Sequence, residues 1–205
     1  MKVLLFLPKA FEHMESSVFI DVLGWANDLL NIDIQLDTGG FFKNVISTFN
    51  VPICVDKLIE EICVDDYEAI AIPGGFGEFG YLEEGFDERF LELIREFHRQ
   101  DKIVASVCMG AIPLGKSGIL NGKKAKTYHL GNSTRLELLK SFGVNTVATR
   151  IVVDSKIITS CGPETAVWVA FTLLEMLTSI EETNKIKEAM GYIFTIDKNG
   201  EIVNT

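Results

Sequence analysis

Apolar and polar positions along the chain follow two alternating periods. Val3 to Leu7 (Val-Leu-Leu-Phe-Leu) is an unbroken apolar run closed by Pro8, the pattern of a strand buried on both faces. After the loop Lys9 to Met14, the residues Val18, Val22, Ala26 and Leu29 recur at helical spacing. They predict a helix over 16–30, capped by Ser16 or Ser17 with Glu15 beside its N-terminus. Ile32 to Leu36 reads as a second strand, closed by Thr38-Gly-Gly40. Residues 41–65 are less regular, with short strands at Val45–Thr48 and Ile53 and a small helix near Lys57–Ile62. Glu68 to Ile72 is a third core strand, followed by Pro73-Gly74-Gly75-Phe76-Gly77. A helix from Asp87 to Gln100 carries Phe90, Leu91, Ile94 and Phe97 on one face and precedes a strand over Lys102–Val107.

The second half repeats the alternation. A helix over Met109–Lys116 is broken at Gly118 and Asn121-Gly122, and a strand over Lys124–Tyr128 ends at His129. Thr134 to Phe142 reads as a helix with Gly143 at its C-cap position, and Ile151–Val153 and Ile157–Thr159 as a hairpin-like pair. Ser160-Cys161-Gly162-Pro163 opens an apolar helix to about Leu177, with Pro163 at its N1 position. A polar helix covers 180–192, and 193–205 reads as a surface tail. Strands alternating with helices predict an α/β fold: one domain over 1–192, with a mainly parallel sheet sandwiched between helices. Ligands of such sheets bind beyond the carboxyl ends of the strands. The loops after Leu7 and Ile72, with Cys108 and His129, stand at such ends.

Composition narrows the function classes. A chain of 205 residues with 47% hydrophobic and 23% charged residues is long and apolar enough for one large core. Its formal charge of −10 argues against nucleic acid and anionic membrane as partners. No apolar run reaches membrane-spanning length, and Lys2 leads straight into a strand rather than a signal peptide. The cysteines at 54, 63, 108 and 161 lack CxxC and metal-type spacing, so reduced thiols in a cytoplasmic protein are expected.

The sharpest chemical signal is Cys108. It ends an apolar strand with small residues, Ser106 and Gly110, two positions away on either side. That is the steric requirement of a nucleophile elbow, in which the backbone turns sharply and the side chain stands above the sheet. A helix N-terminus there would stabilise a thiolate. The alternative is a buried packing cysteine. The remaining candidates have plainer readings: Glu12 as solvated, His13 as an exposed loop residue and His98 as surface. Phe76, Phe79 and Tyr81 read as packing residues that can also wall a pocket, and Cys54 and Cys63 as packing. Cys161 opens a helix at another strand end, and a resolving-thiol role stays open.

Five patterns in order over residues 2–178 resemble the ThiJ/PfpI superfamily: Glu12-His-Met-Glu15, Ile-Pro73-Gly74-Gly75, Ala105-Ser-Val-Cys108-Met-Gly110, Lys126-Thr-Tyr-His129 and Thr159-Ser-Cys-Gly162-Pro163. The resemblance implies a flavodoxin-like, class I glutamine amidotransferase-like fold with Cys108 as nucleophile and Glu15 as its acidic partner. It further implies Gly75 and Met109 backbone N–H groups as the oxyanion-binding pair, His129 as a histidine near the thiol, and no cofactor or metal. The implied partners are a small-molecule carbonyl substrate and a second copy of the chain, in a homodimer or higher homo-oligomer. Three functions follow from it. The first is glyoxalase or deglycase action on small dicarbonyls or glycated thiols and amines. The second is a redox-sensing stress or chaperone protein with an oxidisable Cys108, and the third an intracellular amidase or peptidase. Met109 stands where the peptidase branch has a histidine, which weakens the third. His129 is followed by Leu130-Gly131 rather than the His-x-Glu pair of amidotransferases, which disfavours glutamine amidotransfer.

Overall fold

The structure, a computed structural model, describes residues 1–192 apart from 31 and 132, together with 194–196 and 202–204. In chain order its strands and helices are β1 (Lys2–Phe6), α1 (His13–Leu30), β2 (Gln35–Gly40), β3 (Asn44–Ile46), β4 (Pro52–Cys54), β5 (Lys57–Leu58), β6 (Ala69–Ile72), α2 (Tyr81–Gly85), α3 (Glu88–Arg99), β7 (Ile103–Ser106), α4 (Ala111–Ser117), β8 (Lys124–Ala125), α5 (Arg135–Ser141), β9 (Asn145–Thr146), β10 (Ile151–Asp154), β11 (Ile157–Ser160), α6 (Ala166–Leu177), α7 (Ile180–Ala189), β12 (Phe194–Ile196) and β13 (Ile202–Asn204). Seven of the strands form one sheet in the order β10-β11-β7-β6-β1-β2-β5, parallel except for β10 against β11.

The predicted mainly parallel α/β sheet is therefore present, and its centre is apolar and buried. All residues of β6, and Val3 to Phe6 of β1, are fully buried, as strands covered on both faces require. The helix α3 presents Phe90, Leu91, Ile94 and Phe97 inward and ties its outer face with Arg95–Glu92 and Arg99–Glu92 ion pairs of 2.7 and 2.8 Å. Asp87 caps it by accepting from the Arg89 amide at 3.0 Å. From β1 the chain moves to β2 on one side and returns to β6 on the other. The crevice at the carboxyl ends of β1 and β6 is thus the switch point at which α/β sheets bind ligands.

Four expectations are corrected. The second strand runs from Gln35 through Gly40 rather than ending before Thr38. Its glycines are packing positions: a Cβ on Gly40 would stand 2.8 Å from Val45 Cγ2, and one on Gly39 3.0 Å from Leu4 Cδ1. Ile32 to Ile34 is instead drawn into a turn, with the Ile34 amide donating to Ile32 O and Asn27 Oδ1 at 2.8 and 3.1 Å. The helix expected near Lys57–Ile62 divides into the short strand β5 and a 3-10 turn over Ile59–Glu61.

The expected strand over Lys124–Tyr128 shrinks to Lys124–Ala125 and pairs with β9, outside the main sheet. The next amide, that of Lys126, donates to the Thr159 side chain at 3.0 Å instead of a strand carbonyl. Within the expected tail, β12 and β13 pair antiparallel, while 193, 197–201 and 205 lie outside the described residues.

Candidate active site

Cys108 follows β7 through extended Val107 (φ −116°, ψ 145°) and itself adopts φ +55°, the left-handed region that side chains other than glycine seldom enter. This is the sharp turn that the small residues around Cys108 predict. Gly110 is required by contact, since a Cβ there would stand 2.7 Å from Ile72 O. The turn is fastened by the Val107 amide to Ile72 O at 3.1 Å, the Gly110 amide to Val107 O at 2.8 Å, and Thr127 Oγ1 to Cys108 O at 2.8 Å. A left-handed non-glycine residue costs about 1–3 kcal/mol, which persists only where such surroundings hold it.

Glu15 lies in the first turn of α1 and is fully buried. Its Oε2 accepts from the Gly74 amide at 2.6 Å, which draws α1 and the loop after β6 together. The space above Gly74 is where the site converges. A Cβ there would stand 2.7 Å from the Met109 nitrogen, 2.8 Å from Glu15 Oε2 and 2.9 Å from Cys108 Cβ. The Cys108 thiol lies against the Glu15 carboxyl, close enough for hydrogen bonding to act on both groups. Glu15 Oε1 keeps no hydrogen-bond partner of good geometry among the described residues.

The electrostatics follow from burial. Desolvation and then the charge of Glu12 push the Glu15 carboxyl up to about 8, against the pull of the Gly74 amide and the Cys108 thiol. Burial and then the Glu15 charge push the Cys108 thiol well above its ordinary value, with the Met109 amide pulling it back. The expected thiolate-stabilising helix terminus is overridden, because the thiol is nearly enclosed and faces a carboxylate. Neither group ionises easily beside the other, so both hold their protons at neutral pH, and Glu15 is the first to release one as the pH rises.

Gly75 is pinned by an antiparallel bridge to Phe11, with the Glu12 amide on Gly74 O at 2.9 Å and the Phe76 amide on Ala10 O at 3.3 Å. The Gly75 N–H makes no backbone hydrogen bond among the described residues. The chain thus brings together Cys108, Glu15, Gly74 and Met109, with Gly75 next in line. His129 is half-buried with Nδ1 unpartnered, four residues beyond β8, and no hydrogen bond joins it to Cys108 or Glu15 among the described residues.

Several plainer readings change. Glu12 is half-buried rather than solvated, and burial raises its pKa. His13 opens α1, half-buried, with a buried unpartnered Nε2. Tyr81 is a fully buried packing residue whose hydroxyl donates to Pro73 O at 2.6 Å, whereas Phe79 is exposed. Cys54 and Cys63 are exposed, because β4 pairs only with β3 and Cys63 sits between two 3-10 turns. Cys161 is buried, and its thiol donates to Glu164 Oε1 at 3.0 Å, with Arg150 paired to the same carboxylate.

Gly74 and Thr127 were within reach of the sequence, since both fall inside the quoted motifs, but only the fold reveals their partners. Among the described residues no group of three or more His, Cys, Asp or Glu side chains is arranged to hold a metal ion, and no helix is long and apolar enough to cross a membrane.

Comparison with known proteins adds an independent line. The sequence model of the DJ-1/PfpI family matches residues 1–176. An uncharacterized protein of Methanocaldococcus jannaschii is 32% identical over 90% of this chain and 84% of its own length. Isonitrile hydratase of Pseudomonas putida is 32% identical over 61% of this chain, which is 52% of that protein. The crystal structure of Drosophila melanogaster DJ-1beta superposes with a TM-score of 0.80 at 25% identity, covering 92% of this chain and 96% of that one.

Proposed function

The chain belongs to the DJ-1/PfpI family, and from that premise we propose that it is a cofactor-independent cysteine enzyme of glyoxalase or deglycase type, acting on small dicarbonyls. The observation that carries this reading is the buried Glu15 carboxyl, fixed at Oε2 by the Gly74 amide and lying beside the Cys108 thiol. A carboxyl raised to about 8 is a general acid and base matched to neutral solution.

With methylglyoxal, Sγ of Cys108 bonds to the aldehyde carbon, and the thiol proton reaches the former carbonyl oxygen through Glu15. Glu15 then removes the C1 hydrogen as a proton, leaving an enediolate whose oxygen is held by the Gly75 and Met109 N–H groups. The proton returns to C2 while the C1 hydroxyl proton passes to the C2 oxygen, giving a lactoyl thioester. Water hydrolyses it to lactate and the free thiol. His129 would assist proton movement only if it swings toward the pair.

The redox alternative uses the same Cys108 thiol but makes no use of the proton shuttle that the Glu15 carboxyl provides for carbonyl isomerisation. The amidase alternative lacks a base at Met109. A homodimer is part of the proposal, supported by exposed Trp25 and Leu29, four residues apart on α1; sedimentation velocity tests it. Catalysis is tested by methylglyoxal consumption and lactate formation in wild type, Cys108→Ala and Glu15→Gln. Turnover lost in both variants is expected. Absent turnover in a wild type whose Cys108 is still alkylated overturns the reading.

A further inference from the structure

Three phenylalanine rings run outward from the residue after Gly75. The Phe76 ring centroid is 6.0 Å from that of Phe49 and 6.1 Å from that of Phe79, within the range of favourable aromatic contact. Phe49 and Phe79 are 66% and 54% exposed, so the row is not part of the core. It is nonetheless fixed to the site at both ends. The segment carrying Phe49 is held by the Thr48 amide on Phe11 O at 2.9 Å and Thr48 Oγ1 on Ala10 O at 2.5 Å, and Phe11 bridges to Gly75. The segment carrying Phe76 and Phe79 lies against the residue after the nucleophile, since a Cβ on Gly77 would stand 3.1 Å from Met109 Cε. The charges that bear on the Cys108 thiol are those of Glu15 and Glu12, both acidic.

We propose that the Phe49–Phe76–Phe79 row is the selectivity wall of the Cys108 site, taking uncharged carbonyl compounds with an aryl or bulky apolar substituent in preference to small or carboxylate-bearing ones. The proposal rests on Cys108 as the nucleophile and deepens that reading. An aryl substituent extends the row of rings and covers apolar surface that water otherwise wets. A substrate carboxylate would be desolvated beside two protein carboxyls, which disfavours it.

The test separates this wall from the proposed turnover by using alkylation. Sγ of Cys108 displaces chloride from the methylene carbon of phenacyl chloride, chloroacetone or 3-chloropyruvate, and the thiol proton passes to buffer. Each rate is divided by that of N-acetylcysteine with the same reagent. Wild type is expected to favour phenacyl chloride over chloroacetone at least tenfold and to disfavour 3-chloropyruvate. In Phe49→Ala and Phe76→Ala the aryl preference should collapse toward one, while iodoacetamide alkylation stays within twofold.

A wild-type aryl ratio near one, or a ratio untouched by both substitutions, overturns the proposal. An unselective wild type together with dissociation of a dimer in Phe79→Ala would assign the row to contact between copies, which also overturns it. Aryl-selective alkylation without turnover of phenylglyoxal or methylglyoxal would leave the wall standing and remove the glyoxalase reading. Turnover without selectivity does the reverse.

Discussion

The Gly74 amide donates to Oε2 of Glu15 at 2.6 Å, across 59 positions of sequence, and so fixes the carboxyl of α1 to the loop that follows β6. The bond leaves Oε1 buried without a hydrogen-bond partner among the described residues, in a carboxyl that lies beside the Cys108 thiol. The protonation of the pair is therefore set by burial and by the charges of Glu15 and Glu12.

Alkylation of Cys108 by iodoacetamide should show the consequence. The Glu15 charge, after burial, is what raises the thiol, so Glu15→Gln removes one of its causes. The pH midpoint of alkylation should fall in Glu15→Gln by about one unit, since like charges in contact shift each other on that scale. An unchanged or higher midpoint would show that the carboxylate does not act on the thiol.

The two glycines of the loop should respond differently to alanine. At Gly75 the added carbon would stand 2.1 Å from Ala10 O and 2.5 Å from Tyr81 Cδ2, both in tightly packed surroundings. Gly75→Ala should lose about 1–3 kcal/mol or more of stability in chemical denaturation. At Gly74 the clash is with the site itself, at Met109, Glu15 and Cys108. Gly74→Ala should slow Cys108 alkylation by about tenfold or more, the scale on which a displaced carboxyl and amide act. Equal effects on stability and reactivity at both positions would contradict this division.

The sheet and the elbow were legible because each rests on a local cause. Unbroken apolar runs such as Ala69–Ile72 announce doubly covered strands, and small residues at Ser106 and Gly110 permit the turn that φ +55° at Cys108 displays. What failed depended on distant partners. Gly39 and Gly40 read as a turn because nothing nearby in sequence reveals that Leu4 and Val45 press on them. Glu12 read as solvated because only the folded crevice sets it beside Glu15. The thiol's direction was also missed, since the sequence offers a helix terminus but not the degree of enclosure that outweighs it.

Thr127 is expected to be a positioning residue for the elbow. Its hydroxyl donates to Cys108 O at 2.8 Å in a fully buried setting. Thr127→Val keeps the shape and leaves a buried carbonyl without its donor, a loss of about 1–3 kcal/mol. Denaturant unfolding should register that loss. Cys108 alkylation should also slow, with rescue by Thr127→Ser. A Thr127→Val variant that is destabilised but fully reactive would confine the residue to structure.

The raised Glu15 carboxyl makes the protein's stability fall with pH in a definite window. The group changes from an ordinary value of 4.5 to about 8 on folding, so between those values the folded state holds a proton that the unfolded state has released. Stability changes with pH as the difference between protons bound unfolded and folded, which is negative here. The contribution is therefore fully present below about pH 4.5, declines as pH rises, and is lost above about pH 8. A shift of this size corresponds to on the order of a few kcal/mol. Glu15→Gln keeps an acceptor for the Gly74 amide and carries no titrating proton. The variant's melting temperature relative to wild type should thus climb steadily from pH 5 to pH 8, by several degrees for a domain of this size. A constant difference across that range would mean that Glu15 does not hold its proton in the folded state, and would remove the account of a protonated Glu15 beside Cys108 with it.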